Sequence, residues 1–146
     1  MKNEFEEYLN TINASEVVKN SVNECIKDVE WLYSLEIKDI FVNTNMDKGS
    51  VVYSSLFLFT ESHVVECKSF MNLKDYDLTC FIKGIQYIDT KLTDFSEEGM
   101  KSENALVNIS VLFIPGNLTS DFFAVGQNCK TLVDLAKKYL YININK

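Results

Sequence analysis

Four cysteines, one histidine and a scatter of carboxylates are the side chains in this chain that could do covalent or acid–base chemistry. A cysteine becomes an effective nucleophile when a base lies within about 3 Å of its sulfur. The single histidine, His63, precedes Cys67 by four residues. In an extended strand the two share a face but stand roughly 13 Å apart, at about 3.3 Å per residue. They form no dyad without a group from another strand, and His63 is expected at a hairpin end instead. Cys25, Cys67, Cys80 and Cys129 are widely spread, with no Cys-x-x-Cys pair. Zinc needs clustered thiolate and imidazole ligands, so neither a finger nor a histidine-rich centre is expected. The cysteines are expected to be reduced and to serve as small buried hydrophobes.

The carboxylates offer no better start. Asp75-x-Asp77 has the opening of a calcium loop, but no third acid, glycine or closing glutamate follows in register. Glu97 and Glu98 beside Gly99, with Asp94 close by, read as a solvated loop rather than a proton-transfer pair. The glycine-rich phosphate cradles and the Gly-x-Ser-x-Gly elbow are missing, and Gly126 reads as a turn glycine. Asn13, Asn108 and Asn117 each open an Asn-x-Ser/Thr triplet, taken here as chance. No catalytic residue, metal or cofactor is expected.

Charge narrows the partners. The chain has 21 acids and 14 basic residues, a net charge of −7, and every basic residue is a lysine. Without arginine there is no bidentate fork for phosphate or guanine, so nucleic acid is not an expected partner. Anionic lipid is disfavoured by the same sign of charge. Residues 1–36 carry eight acids against three lysines, whereas residues 130–146 carry four lysines against one acid. The N-terminal residues lack the basic-then-apolar pattern of a leader, and no apolar run approaches the length of a membrane span. A cytoplasmic location is expected, with no membrane insertion.

These residues need elements to place them. At 146 residues, with 47% hydrophobic content and one proline, the chain suits a single domain, residues 1–146. Val18, Val22, Cys25, Val29 and Leu32 recur at helical spacing, widened by Val17, Ile26 and Tyr33. That predicts a helix over residues 14–35, capped by Asn13. Phe5, Tyr8, Leu9 and Ile12 add helical turns ahead of it within the N-terminal segment 1–36. Strand periodicity then covers residues 37–125, with strands at 37–45, 51–60, 63–70, 104–114 and 121–125. Residues 46–50 form the first turn, and residues 51–60 and 63–70 form a hairpin. The apolar run Leu56-Phe57-Leu58-Phe59 predicts a strand covered on both faces. Residues 79–95 offer one long strand or two short ones, with Gly84 as bulge or bend. Residues 96–102 form a loop. Asn128 caps a final helix over residues 129–141, in a C-terminal segment 128–141 whose buried stripe includes Leu132, Leu135, Ala136, Tyr139 and Leu140. The last five residues alternate like a strand. Helix, strands, helix is an α+β order. It predicts one bent antiparallel sheet, or a partly open barrel, flanked by a long N-terminal and a C-terminal helix.

Residues 54–65, Ser-Ser-Leu-Phe-Leu-Phe-Thr-Glu-Ser-His-Val-Val, resemble the strand–turn–strand of bacterial pleckstrin-homology-like and GRAM-type domains. Phe122-Phe123-Ala124-Val125-Gly126 and the helix after it resemble the closing strand and C-terminal helix of that superfold. The likeness spans about residues 37–141 and implies a scaffold that holds a protein partner at a strand edge or beside the last helix. Headgroup binding in that family uses clustered basic residues in the first strand–strand loop. Here that loop, residues 43–50, has Lys48 alone beside Asp47, so phosphoinositide binding is not implied. The expected function is thus a non-catalytic intracellular module that engages a protein partner. Two alternatives stand beside it. One is a small acidic masking protein, such as a secretion chaperone, which two-fold self-association would favour, or a toxin-immunity protein. The other is a small-molecule-binding α+β barrel or undescribed enzyme, which a deep apolar pocket would favour.

Overall fold

A serine, not an asparagine, opens the longest helix. In the computed structural model, which describes residues 1–82, 84–94, 104–114 and 116–144, α1 spans Asn3–Thr11 and α2 spans Glu16–Tyr33. The Ser15 hydroxyl accepts a hydrogen bond from the Val18 N–H, satisfying a donor that the first turn leaves open. Asn13, expected as the cap, instead takes a left-handed conformation (φ 56°) between the two helices. Its short polar side chain tolerates that region. The buried stripe of α2 is Val18, Val22, Cys25, Ile26 and Val29. Val17 and Leu32, assigned to that stripe by their spacing, are exposed. Val17 points about a third of a turn away from the stripe's centre, and Leu32 sits in the last turn. No helix among the described residues is long and apolar enough to cross a membrane.

Among the described residues, seven strands follow. β1 (Asp39–Asp47), β2 (Ser50–Phe59), β3 (His63–Lys68) and β4 (Asp77–Ile82) form one sheet in that order. β5 (Gly84–Thr93), β6 (Leu106–Ile114) and β7 (Leu118–Val125) form a second. The α+β class is as expected, but the single bent sheet is not: there are two sheets, and neither closes into a barrel. Within the 79–95 run, β4 ends at Ile82 and β5 opens at Gly84. A Cβ on Gly84 would stand 2.8 Å from the Ile114 carbonyl oxygen, so only glycine fits where β5 meets β6. The bulge itself lies two residues on, where the register shifts between Ile85 and Tyr87. The 96–102 loop lies outside the described residues.

The chain groups into two compact units, residues 1–42 with 54–81, and residues 43–53 with 82–146. In the first, Leu56, Phe57, Leu58 and Phe59 are all fully buried, which fits a strand covered on both faces. β2 and β3 form the expected hairpin, from Ser55 opposite Lys68 to Phe59 opposite Val64. Thr60 closes its turn, its hydroxyl accepting from the N–H groups of Ser62 and His63 at 3.2 and 2.8 Å. The Tyr8 hydroxyl of α1 accepts from the Val42 N–H at 2.9 Å.

In the second unit, β1 and β2 run on to Asp47 and Ser50, so the expected five-residue turn shrinks to Lys48 and Gly49. Both have positive φ (52° and 81°), the pairing a two-residue hairpin loop requires. β6 alternates as its sequence does, burying Val107, Ile109, Val111 and Phe113. The final helix is shorter than expected: α3 spans Asn128–Leu135, then winds on as a π-helical turn (Ala136–Leu140) and a 3-10 turn (Tyr141–Asn143). Asn128 does not cap it. It is buried as the first helical residue, and its side-chain amide donates to Thr44 Oγ1 at 2.9 Å. Of the tail, the described residues show an isolated parallel bridge from Ile144 to Ile85.

The outer edge of β7 is satisfied by side chains. Asn43 Oδ1 accepts from the Phe123 N–H at 3.0 Å, and its Nδ2 donates to the Asp121 carbonyl at 2.9 Å. Thr44 Oγ1 accepts from the Val125 N–H at 3.2 Å. The Asn43 amide thus acts as one peptide group of a missing strand, at a site where it is only 3% exposed. Asn43→Ala should orphan a buried donor and acceptor and cost about 2–6 kcal/mol, at 1–3 for each group. Urea unfolding checks this, with a lowered midpoint and an unchanged slope expected.

Candidate functional site

Cys67 meets a cysteine rather than a histidine. Cys67 on β3 and Cys25 on α2 are both fully buried and hydrogen-bonded to each other. Cys25 Sγ donates to the Phe70 carbonyl at 3.9 Å. One helical turn beyond Cys25, Asp28 accepts a hydrogen bond from the Tyr76 hydroxyl.

Among the described residues, this cluster lacks the base that nucleophilic chemistry needs. The Asp28 carboxylate holds Tyr76, whose pKa is pushed well up by burial and then by that bond. The bond to Cys25 and then burial push Cys67 far above the ordinary thiol range. The same bond draws Cys25 down, opposed by burial and by the charges of Asp28 and Glu24. Removing a second proton would set two negative charges side by side away from water, so the pair keeps at least one. The arrangement is a sealed pair of free thiols.

The other candidates are scattered. His63, half-buried at the start of β3, has Nδ1 2.6 Å from Ser62 Oγ. Cys80 is half-buried on β4. Cys129 is fully buried on α3, where its Sγ donates to the Ala124 carbonyl at 3.3 Å and burial pushes its pKa to about 11. Asp75 and Asp77 are exposed, Asp94 takes a left-handed conformation just after β5, and Gly126 (φ 59°) turns the chain between β7 and α3. Glu97, Glu98 and Gly99 lie outside the described residues. Among the described residues, no three His, Cys, Asp or Glu side chains come together as a metal set.

What the structure exposes is more distinctive than what it buries. Trp31, the one tryptophan, is 82% exposed on α2. At 3.6 residues per turn, Val17, Glu24 and Trp31 fall on one outward stripe, flanked by Lys27 and Asp28. Spacing could have found this stripe, since Trp31 lies two residues from Val29 and so on the opposite face. In the second sheet, cross-strand rows set Asp89 beside Ser110 and Asp121, and Lys91 beside Asn108 and Phe123. The Asn108 Oδ1 atom is buried without a hydrogen-bond partner among the described residues.

Compared with known proteins, the chain matches no family model, no curated protein and no solved structure.

Thiol reactivity should follow burial. A thiol reagent applied to the folded protein should modify Cys80 quickly, and Cys25, Cys67 and Cys129 only as the chain unfolds. Rapid modification of two or more sulfurs would contradict this. The pKa of Cys129 is raised from 9.0, so the folded state holds its proton more tightly than the unfolded chain does. That stabilisation is complete below about pH 9 and is lost as pH rises through about 11. Unfolding midpoints should fall across that window, and less steeply in Cys129→Ala.

Proposed function

We propose that this chain is a non-catalytic module that binds another protein through the outward face of α2. The exposure of Trp31 carries this reading. A tryptophan left 82% exposed adds nothing to the core, and tryptophan is among the residues that dominate the energetic centres of protein interfaces. Val17, 62% exposed on the same stripe, extends the apolar contact.

Charge supplies the partner's chemistry. The three lysines of residues 1–36 are engaged: Lys2 donates to the Ile37 carbonyl, Lys19 pairs with Glu16, and Lys27 pairs with Glu24. The eight acids of that segment leave its surface negative, which favours a partner with a basic surface. The closing strand β7 followed by α3 supports the likeness to pleckstrin-homology-like scaffolds that hold protein partners. Lys48, alone in its turn, gives no support to a lipid headgroup. Four free cysteines support a reducing compartment, and with it the cytoplasm.

Trp31→Ala should fold like the parent, with stability within about 0.5 kcal/mol because the site is exposed. Affinity capture from native cell extract, run with both chains at matched loading, should show one or more basic proteins retained at least tenfold less by the variant. Their association rate with the parent should fall as salt rises, because exposed charges are screened beyond about 8 Å at physiological ionic strength. The reading fails if the two chains capture the same proteins equally.

A further inference from the structure

Among the described residues, β5 has one paired side and one largely open side. β6 pairs with it from Gly84 to Thr93. On the other side, the described residues show only the Ile85–Ile144 bridge, next to the bulge at Gln86. Asp94, with φ 48°, ends the strand. Among the described residues the open length is therefore residues 87–93, and its midpoint is Thr90.

The sequence about that midpoint is complementary to itself. Ile88, Thr90 and Leu92 stand opposite Val111, Ile109 and Val107 of β6, which are fully buried, so all three project to the apolar side of the sheet. Leu92 is nonetheless 51% exposed. Tyr87, Asp89, Lys91 and Thr93 project to the other side, and all four are exposed.

We propose that residues 87–93 of β5 pair antiparallel with the same residues of a second copy of this chain, about a two-fold axis at Thr90. In that register Asp89 of each copy faces Lys91 of the other, giving two opposite-charge pairs by symmetry. Ile88 faces Leu92, which shields the half-exposed leucine, and Tyr87 faces Thr93. Neighbouring registers are selected against. Centring the axis on residue 89 sets aspartate against aspartate, and centring it on residue 91 sets lysine against lysine. An in-register parallel pairing does both. Charges on an edge strand ordinarily keep other strands away; here their placement admits one partner in one register. The backbone bonds of a seven-residue strand with a narrow side-chain strip make this a weak dimer, below the area of a standard stable interface.

Charge reversal tests the register. Sedimentation velocity from micromolar to millimolar protein should show the parent in a reversible monomer–dimer equilibrium. Asp89→Lys and Lys91→Asp, each at an exposed site, should each weaken self-association about tenfold by setting like charges opposite in both symmetric pairs. Mixing the two variants should restore association as a heterodimer, and the double exchange, Asp89→Lys with Lys91→Asp, should restore the homodimer. A parent that stays monomeric throughout overturns the proposal. So does a dimer indifferent to both single reversals, or a mixture of variants that fails to recover association.

Discussion

A strand at the edge of a sheet leaves alternate backbone N–H and C=O groups without partners, and each such group costs about 1–3 kcal/mol if it is buried unpaired. Much of this protein is arranged by how three edges meet that demand. The β1 edge receives the Tyr8 hydroxyl of α1, which accepts from the Val42 N–H. The β7 edge receives Asn43 and Thr44, and Thr44 also takes the Asn128 amide, so the same hydroxyl ties the start of α3 to the last strand. The β5 edge receives one bridge from Ile144. The β7 edge is met by side chains that imitate a strand, the β1 edge takes one tyrosine hydroxyl, and among the described residues the β5 edge stays open over most of its length.

Periodicity reads local structure well and reads edges badly, which explains what was visible in the sequence. The β6 alternation, the doubly buried Leu56–Phe59 run, the β2–β3 hairpin and the Val18–Val29 stripe all follow from which neighbours in sequence share a face. Asn43 could not be read this way. A polar residue in a strand looks like a solvent-facing position, and only the arrival of β7, some 80 residues later, makes its amide a buried peptide mimic. The division of the 79–95 run into strands of different sheets was hidden for a similar reason. Residues on both sides of Gly84 favour strand, and the decisive contact is the close approach of the Ile114 backbone. Asn128 misled in the opposite sense. Its type and place suit a helix cap, but tertiary burial gave its amide to Thr44 instead.

The sulfur chemistry shows the same boundary. The separation of His63 from Cys67 follows from strand geometry alone, and the structure gives each a different partner. The Cys25–Cys67 pair joins a helix to a strand across 42 positions of sequence, and no spacing rule reaches that far. Once formed, the pair is governed by its setting: two thiols fully out of water, with the Asp28 carboxylate already committed to Tyr76. Burial opposes the charged thiolate that reaction would need. The contact therefore serves packing between α2 and β3, with one weak hydrogen bond from Cys25 to the Phe70 carbonyl.

On the two proposals made above, the exposed features of the chain select partners by different physics. On α2, Trp31 offers an amphipathic ring whose burial is worth about 1.5–3 kcal/mol or more, with little rotamer entropy to lose on contact. Nothing about the ring chooses a partner by sign of charge, so that choice falls to the acidic excess of residues 1–36. Those acids also keep an exposed tryptophan soluble, since like-charged surfaces repel one another before their rings meet. On β5 the attraction comes from main-chain groups that any strand could satisfy. Selection there must come from side chains, and Asp89 and Lys91 provide it by position rather than by net charge. Salt should therefore act on the two surfaces unequally. It weakens steering over the acidic helices, while a paired strand held by backbone bonds changes less, because its charges sit within hydrogen-bonded neighbours and inside the screening length.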